Sequence, residues 1–134
     1  MYKPPTDLAY LFPTLRNKKV QWRDELNPYI YDIYGCCFNC ERPASSIHEA
    51  IIRRSAAQGW KLKKRVLIFT VYNCIPLCDK CHGTAAEPSK EKVLRIMIET
   101  YGTDVLDWLE SLPFKSNPVQ GLINFYREKE CLKL

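Results

Sequence analysis

Hydrophobic positions in the last third of the chain recur at helical spacing. Val93, Ile96, Met97 and Tyr101 fall on one face of a segment that Ser89 can cap and Gly102 can end. Val105, Trp108, Leu109 and Leu112 repeat at i, i+3, i+4 and i+7 until Pro113 stops the run. Asn117-Pro118 opens a third stripe of Val119, Leu122, Ile123 and Tyr126, with Gln120 placed to close a capping box. These faces read as core and carry no chemistry. Upstream the period changes. Arg65 to Tyr72 is rich in β-branched and aromatic residues and is the best strand, and a shorter strand around Ser45 to Ile47 ends at His48. Asn27-Pro28 reads as a helix start, with Asn as cap and Pro in the first turn, leading Tyr29, Ile30 and Ile33. Val20, Trp22 and Leu26 before it suit a separate turn of helix, and Pro4, Pro5 and Pro13 make the stretch to about Arg16 an irregular arm.

Length and composition narrow the class. At 134 residues the chain is expected to form one domain, large enough for a modest core that a metal staple would help. Hydrophobic residues at 46% and charged residues at 26% argue against disorder. The longest apolar stretch, Val66 to Tyr72, is too short to cross a bilayer. The start, Met1-Tyr2-Lys3-Pro4-Pro5, lacks the apolar region of a secretory signal, so a cytoplasmic protein with no membrane role is expected.

In that compartment the seven cysteines suit metal ligation better than a disulfide framework. They include two pairs with knuckle spacing, Cys37-Phe-Asn-Cys40 and Cys78-Asp-Lys-Cys81. A tight turn in each pair points two sulfurs at one ion, and two such turns complete a tetrahedral thiolate set. Cys36 is an alternative to Cys37 at a less usual spacing, and Cys74 and Cys131 are spare. A Zn²⁺ held by four thiolates has no open position, so this site is read as structural.

The net charge of +5 is unevenly spread. Between Glu49 and Asp79 there is no acidic residue, while Arg53, Arg54, Lys61, Lys63, Lys64 and Arg65 lie in that interval. Clustered, unneutralised cations suit a phosphate backbone, because each contact releases condensed counterions. Trp60 beside Lys61 reads as an anchor for this loop.

The polar residues around the cysteine pairs carry a family resemblance. Ser46-Ile47-His48-Glu49-Ala50-Ile51-Ile52, followed by Asn73-x-Ile75-Pro76-Leu77-Cys78-x2-Cys81-His82, resembles an HNH endonuclease, with Cys37-x2-Cys40 where zinc-bearing members place their first knuckle. The resemblance spans residues 37 to 82 and is most specific in its second half. Singly, His48 reads as a hydrogen-bonded or surface histidine, Asn73 as a turn residue and His82 as a helix cap.

The resemblance implies a ββα-metal fold: a histidine at the end of one strand, an asparagine near the second, and a final histidine on a helix starting near Cys78. It further implies hydrolysis of DNA phosphodiester bonds, by cutting or nicking, with one divalent cation such as Mg²⁺ or Mn²⁺. His82 would ligate that cation, and Asn73 would either coordinate it or hold the loop that orients the base. Spacing makes His48 a metal ligand and puts Glu49 where a second histidine is usual. Two readings follow: Glu49 acts as the base or as a further ligand beside His48, or His48 is the base and His82 holds the cation with Glu49 or Asn73. Spacing favours His48 as ligand, whereas a neutral imidazole is the better proton acceptor near neutral pH. Small proteins of this kind resemble those of bacteriophages and mobile elements.

The expected architecture is α+β: residues 1–35 as arm and helix, 36–86 as a zinc-stapled ββα-metal core, and 87–134 as a helical segment. The expected partner is DNA, held by the basic residues above. The alternative is a catalytically silent zinc module of the same fold that binds nucleic acid or a protein partner.

Overall fold

The computed structural model describes residues 21–113 and 115–132. The arm expected over the first residues, with Val20, therefore lies outside the described residues. So do the side chains of Trp22, Lys63 and Cys131. The described chain opens with helix α1, Gln21–Tyr34, which runs unbroken through Pro28. A separate turn and a fresh start at Asn27 are not formed. An interior proline costs about 3 kcal/mol through one missing donor and a ring clash. Leu26 and Ile30, one helical turn apart on either side of it, are both in the core. Burying each contributes about 1.5–3 kcal/mol, which outweighs the proline. Gly35, at φ +74°, ends the helix by returning its N–H to the Tyr31 carbonyl at 2.8 Å.

A two-stranded antiparallel sheet follows, built from β1, Ser46–Glu49, and β2, Cys74–Leu77. Its register pairs Ser46 with Leu77, His48 with Ile75 and Glu49 with Cys74. The connection between the strands contains a 3-10 turn at Arg54–Ala57, a short helix α2 at Leu62–Arg65 and a second 3-10 turn at Val66–Ile68. The strand expected from Arg65 to Tyr72 is therefore absent, and β2 begins where that segment ends. Ile68, Phe69, Thr70, Val71 and Tyr72 are buried in succession, without the alternation that a sheet facing the core on one side requires. The Thr70 carbonyl accepts from both Asn73 and Cys74 N–H groups at 3.0 Å, so the chain turns here and only then extends.

The helix expected near Cys78 is also absent. Residues 79–83 are turns, in which Cys81 and His82 both donate to the Cys78 carbonyl, and Gly83 at φ +74° redirects the chain. Helix begins only at α3, Lys90–Tyr101, where the Ser89 hydroxyl accepts from Lys92 N–H and Gly102 closes the far end, as its pattern predicts. Leu94 is buried in this helix, whereas Ile96 is only half-buried. Helices α4, Asp104–Glu110, and α5, Asn117–Leu132, complete the described chain. Ser116, not Asn117, caps α5, with its hydroxyl accepting from Val119 N–H at 3.4 Å. Gln120 turns instead to Asn124.

The result is an α+β chain in which a small sheet and its connection pack with the helices in one buried cluster, from Leu26 to Ile123. Among the described residues, no helix is long and apolar enough to cross a membrane.

Candidate metal centres and the adjoining cleft

The first knuckle hangs from the end of α1 and is tied to β2, with Phe38 N–H donating to the Pro76 carbonyl at 2.8 Å. The second continues directly from β2. This brings one sulfur from each of Cys37, Cys40, Cys78 and Cys81 within 4.8 Å of the others, with Cys40 and Cys78 at 3.4 Å. A tetrahedral site with metal–sulfur bonds of about 2.3 Å has sulfur–sulfur edges of about 3.8 Å, so the set fits an ion such as zinc. Cys36 is not in the set, which selects Cys37 between the two.

The electrostatics fit as well. Burial opposes charge on Cys37, yet N–H groups of the knuckles and the Cys40 thiol bring it down to about 6. Cys40 gains a stabilising contact from the Arg42 backbone, but burial and its three sulfur neighbours drive it up to about 12. Four crowded sulfurs cannot all hold negative charge unless a cation sits among them. Asn39 supplies outer hydrogen bonds, from its N–H to Cys37 Sγ and from Nδ2 to Cys81 Sγ, both at 3.4 Å.

The second centre grows from the same scaffold. Alternation along β1 puts Ser46 and His48 on one face, toward the turn that carries His82. The Ser46 hydroxyl lies 3.0 Å from His82 Nδ1, and the two imidazoles are 5.2 Å apart between ring centres. The third member was not foreseen. Glu87 lies in the turn before α3, with Oε1 at 2.6 Å from His48 Nε2. One donor atom from each of His48, His82 and Glu87 lies within 4.8 Å of the others, a set of two imidazoles and a carboxylate that suits a divalent cation. His48 is 4% exposed. Burial pushes its imidazole below the usual range, helped by Arg53 and His82 and opposed by Glu87 and Glu49.

Glu49 and Asn73, also expected here, do not join this donor set, and Asn73 matches the other of its two expected roles, holding the loop that follows His48. Glu49 lies outside the group and accepts from Arg54, at 3.0 Å from Nε and 2.8 Å from Nη2. Asn73 is fully buried, and its Oδ1 accepts from the N–H groups of Ile51 and Ile52 at 2.8 and 2.9 Å. Its Nδ2 donates to the carbonyls of Ile52 and Ile68, both at 2.9 Å. Both lone pairs of the amide oxygen are thus committed, so Asn73 braces the connection between the strands and is not a cation ligand.

The basic run divides. Arg53 and Arg54 line a cleft of about 290 Å³ together with His48, Glu49 and His82. Arg53 donates to Glu87 at 3.3 Å, and Arg54 lies over the Phe69 ring. Lys61 and Lys64 are exposed and Arg65 is half-buried, and none of these lines the cleft. Glu87 had little signal in the sequence, because only the turns at residues 79–87 bring it back to β1. No family model matches this chain, and comparison with curated proteins and with solved structures returns no match.

Proposed function

We propose that the protein is a divalent-cation-dependent endonuclease of the HNH type, hydrolysing DNA phosphodiester bonds. The observation that carries this reading is the convergence of His48, His82 and Glu87 at a cleft bordered by two arginines. The bound cation supplies charge stabilisation at the phosphate and the leaving oxygen. His82 and Glu87 would hold it. The Ser46 hydroxyl at His82 Nδ1 fixes that ring and leaves Nε2 for ligation, the usual arrangement of a metal-binding imidazole.

His48 is the proton acceptor in this reading. With Glu87 committed to the cation, Nε2 of His48 is released and takes a proton from water as the water oxygen attacks phosphorus. The bond from phosphorus to the leaving sugar oxygen breaks, that oxygen takes a proton from solvent on the opposite side, and the imidazolium gives its own proton back to solvent. Burial keeps His48 neutral near pH 7, as a base must be. Arg53 and Arg54 hold the phosphate backbone.

The test is cleavage of plasmid DNA by zinc-loaded protein with Mg²⁺, Mn²⁺ or Ni²⁺. His82→Ala and His48→Ala should each lower cleavage by about 100-fold or more while the fold, read by circular dichroism, is kept. His48→Ala should retain cation affinity that His82→Ala loses. A second reading rests on the ion pairs of Arg53 with Glu87 and Arg54 with Glu49, which already neutralise the cleft. If the protein binds DNA and no cation elicits cutting, it is a zinc-stapled binding module.

A further inference from the structure

Glu87 engages both the proton acceptor of the proposed reaction and an arginine that would grip phosphate. Its Oε1 lies 2.6 Å from His48 Nε2 and 3.3 Å from Arg53 Nη2. The Glu87 side chain is 16% exposed, whereas that of Arg53 is 53% exposed and borders the cleft. One oxygen therefore belongs to a ligand cluster and at the same time neutralises the adjacent guanidinium. Once committed to a divalent cation, a carboxylate loses most of its attraction for a neighbouring guanidinium, and the cation repels that guanidinium directly. The two occupancies oppose each other, and such linkage is reciprocal.

Resting on the phosphodiester reading above, we infer that Glu87 is an internal stand-in for the phosphate backbone. In the cation-free protein it occupies Arg53; a cation at Glu87 releases Arg53 to nucleic acid, so cation and DNA bind with positive cooperativity. Arg54 is outside this switch, because its partner Glu49 lies outside the cluster and is not a ligand of the cation. The device gives the cleft an order of events, with the backbone gripped fully only when the hydrolytic centre is loaded.

The experiment measures binding of a fluorescent DNA duplex by anisotropy across a salt series, using zinc-loaded protein without other divalent cations. Wild type is compared with Glu87→Gln, Arg53→Ala and the double variant. Glutamine keeps the size of Glu87 and an oxygen that accepts from His48, while removing the charge. Glu87→Gln should bind about two- to fivefold tighter than wild type, the effect of freeing one exposed ion pair. Its log–log salt dependence should steepen by about 0.9, the increment of one phosphate contact. In the Arg53→Ala background the gain should vanish. Mn²⁺ added to wild type, read as the initial anisotropy before any cutting, should produce the same steepening, with none in Glu87→Gln.

The inference is overturned if Glu87→Gln binds no tighter than wild type without cation. It is equally overturned if the gain survives in Arg53→Ala, since removal of bulk negative charge would then account for it. A wild type that cuts DNA with Mn²⁺ while showing either result loses the coupling and keeps the nuclease assignment. A protein that binds no DNA with or without Mn²⁺ refutes both.

Discussion

Replacing Asn73 by alanine should destabilise the fold far more than it alters any cation site. The side chain is fully buried and satisfies the N–H groups of Ile51 and Ile52 and the carbonyls of Ile52 and Ile68. Truncation strands the groups of Ile51 and Ile52 and leaves the Ile68 carbonyl only the Cys74 thiol, at 3.6 Å. Each unsatisfied buried group costs about 1–3 kcal/mol, and relaxation of the loop recovers part of the sum, so a net loss of about 4 kcal/mol is expected. At about 3–5 °C per kcal/mol for a domain of this size, the melting temperature should fall by about 12–20 °C. That is a large fraction of a typical total stability of about 5–15 kcal/mol. Asn73→Asp is the sharper variant. It keeps an acceptor for the two N–H groups but turns a second oxygen, in place of Nδ2, toward the two carbonyls. Its destabilisation should equal or exceed that of alanine and grow as pH rises and the carboxyl ionises. A ligand role predicts the reverse, because aspartate holds a cation at least as well as asparagine. Thermal melts followed by circular dichroism, with and without Mn²⁺, decide between them. Melting of Asn73→Ala within about 3 °C of wild type, or marked stabilisation of Asn73→Asp by Mn²⁺, would refute the brace.

Three further consequences concern protons and metals. Stripping zinc should unfold the chain, since a structural zinc contributes about 10–16 kcal/mol, as much as or more than a domain's whole stability. Zinc retention should weaken as pH falls, because the thiols must lose their protons to bind; a dye-based zinc-release titration that stays flat between pH 8 and pH 5 would contradict this. The cleavage rate should have an acid limb with its midpoint below 6.5, since burial depresses His48 and only the neutral ring accepts a proton. The rate is then full above that limb and lost as pH falls through it. A rate–pH profile of His48→Ala that keeps the same limb would remove His48 as its origin.

The cysteine spacing and the C-terminal stripes were legible because each depends on local geometry. A C-x2-C turn aims two sulfurs wherever it occurs, and a helical stripe such as Val105–Leu112 needs only a core to face. The connection from Ala50 to Asn73 was not legible, since its form is set by burial on all sides. Val66 to Tyr72 has the residue types of a strand, yet Trp108 Nε1 donates to the Leu67 carbonyl at 2.8 Å and Asn73 gathers the segment into turns. Pro28 misled for the opposite reason, as a strong local signal outweighed by Leu26 and Ile30. At the candidate centre, His48 and His82 could be read from motif spacing. Glu49 drew attention because the motif spacing put it where a second histidine is usual, whereas Glu87 joins the group through turns that no periodicity announces.

The two centres are mechanically joined through Asn39, and this makes the staple testable as a positioning device. Asn39 Nδ2 donates both to Cys81 Sγ at 3.4 Å and to the Ala86 carbonyl at 2.9 Å. Ala86 immediately precedes Glu87, so the first knuckle grips the turn that presents the carboxylate to His48. Lys92 Nζ, from α3, donates to Asn39 Oδ1 at 3.4 Å and braces the amide from the other side. Asn39→Ala removes these links while leaving all four sulfur ligands in place. Because the contacts are largely exposed, stability should fall by only about 1 kcal/mol, and zinc should remain bound at one equivalent. Affinity for Mn²⁺ at the second centre should nevertheless drop by about tenfold, the usual scale for losing an outer-shell support. Calorimetric titration with Mn²⁺, beside a zinc assay on the same sample, reads both effects. Unchanged Mn²⁺ affinity with zinc retained would mean that the turn carrying Glu87 holds its place unaided, and that the cysteine site stabilises the fold without positioning the second centre.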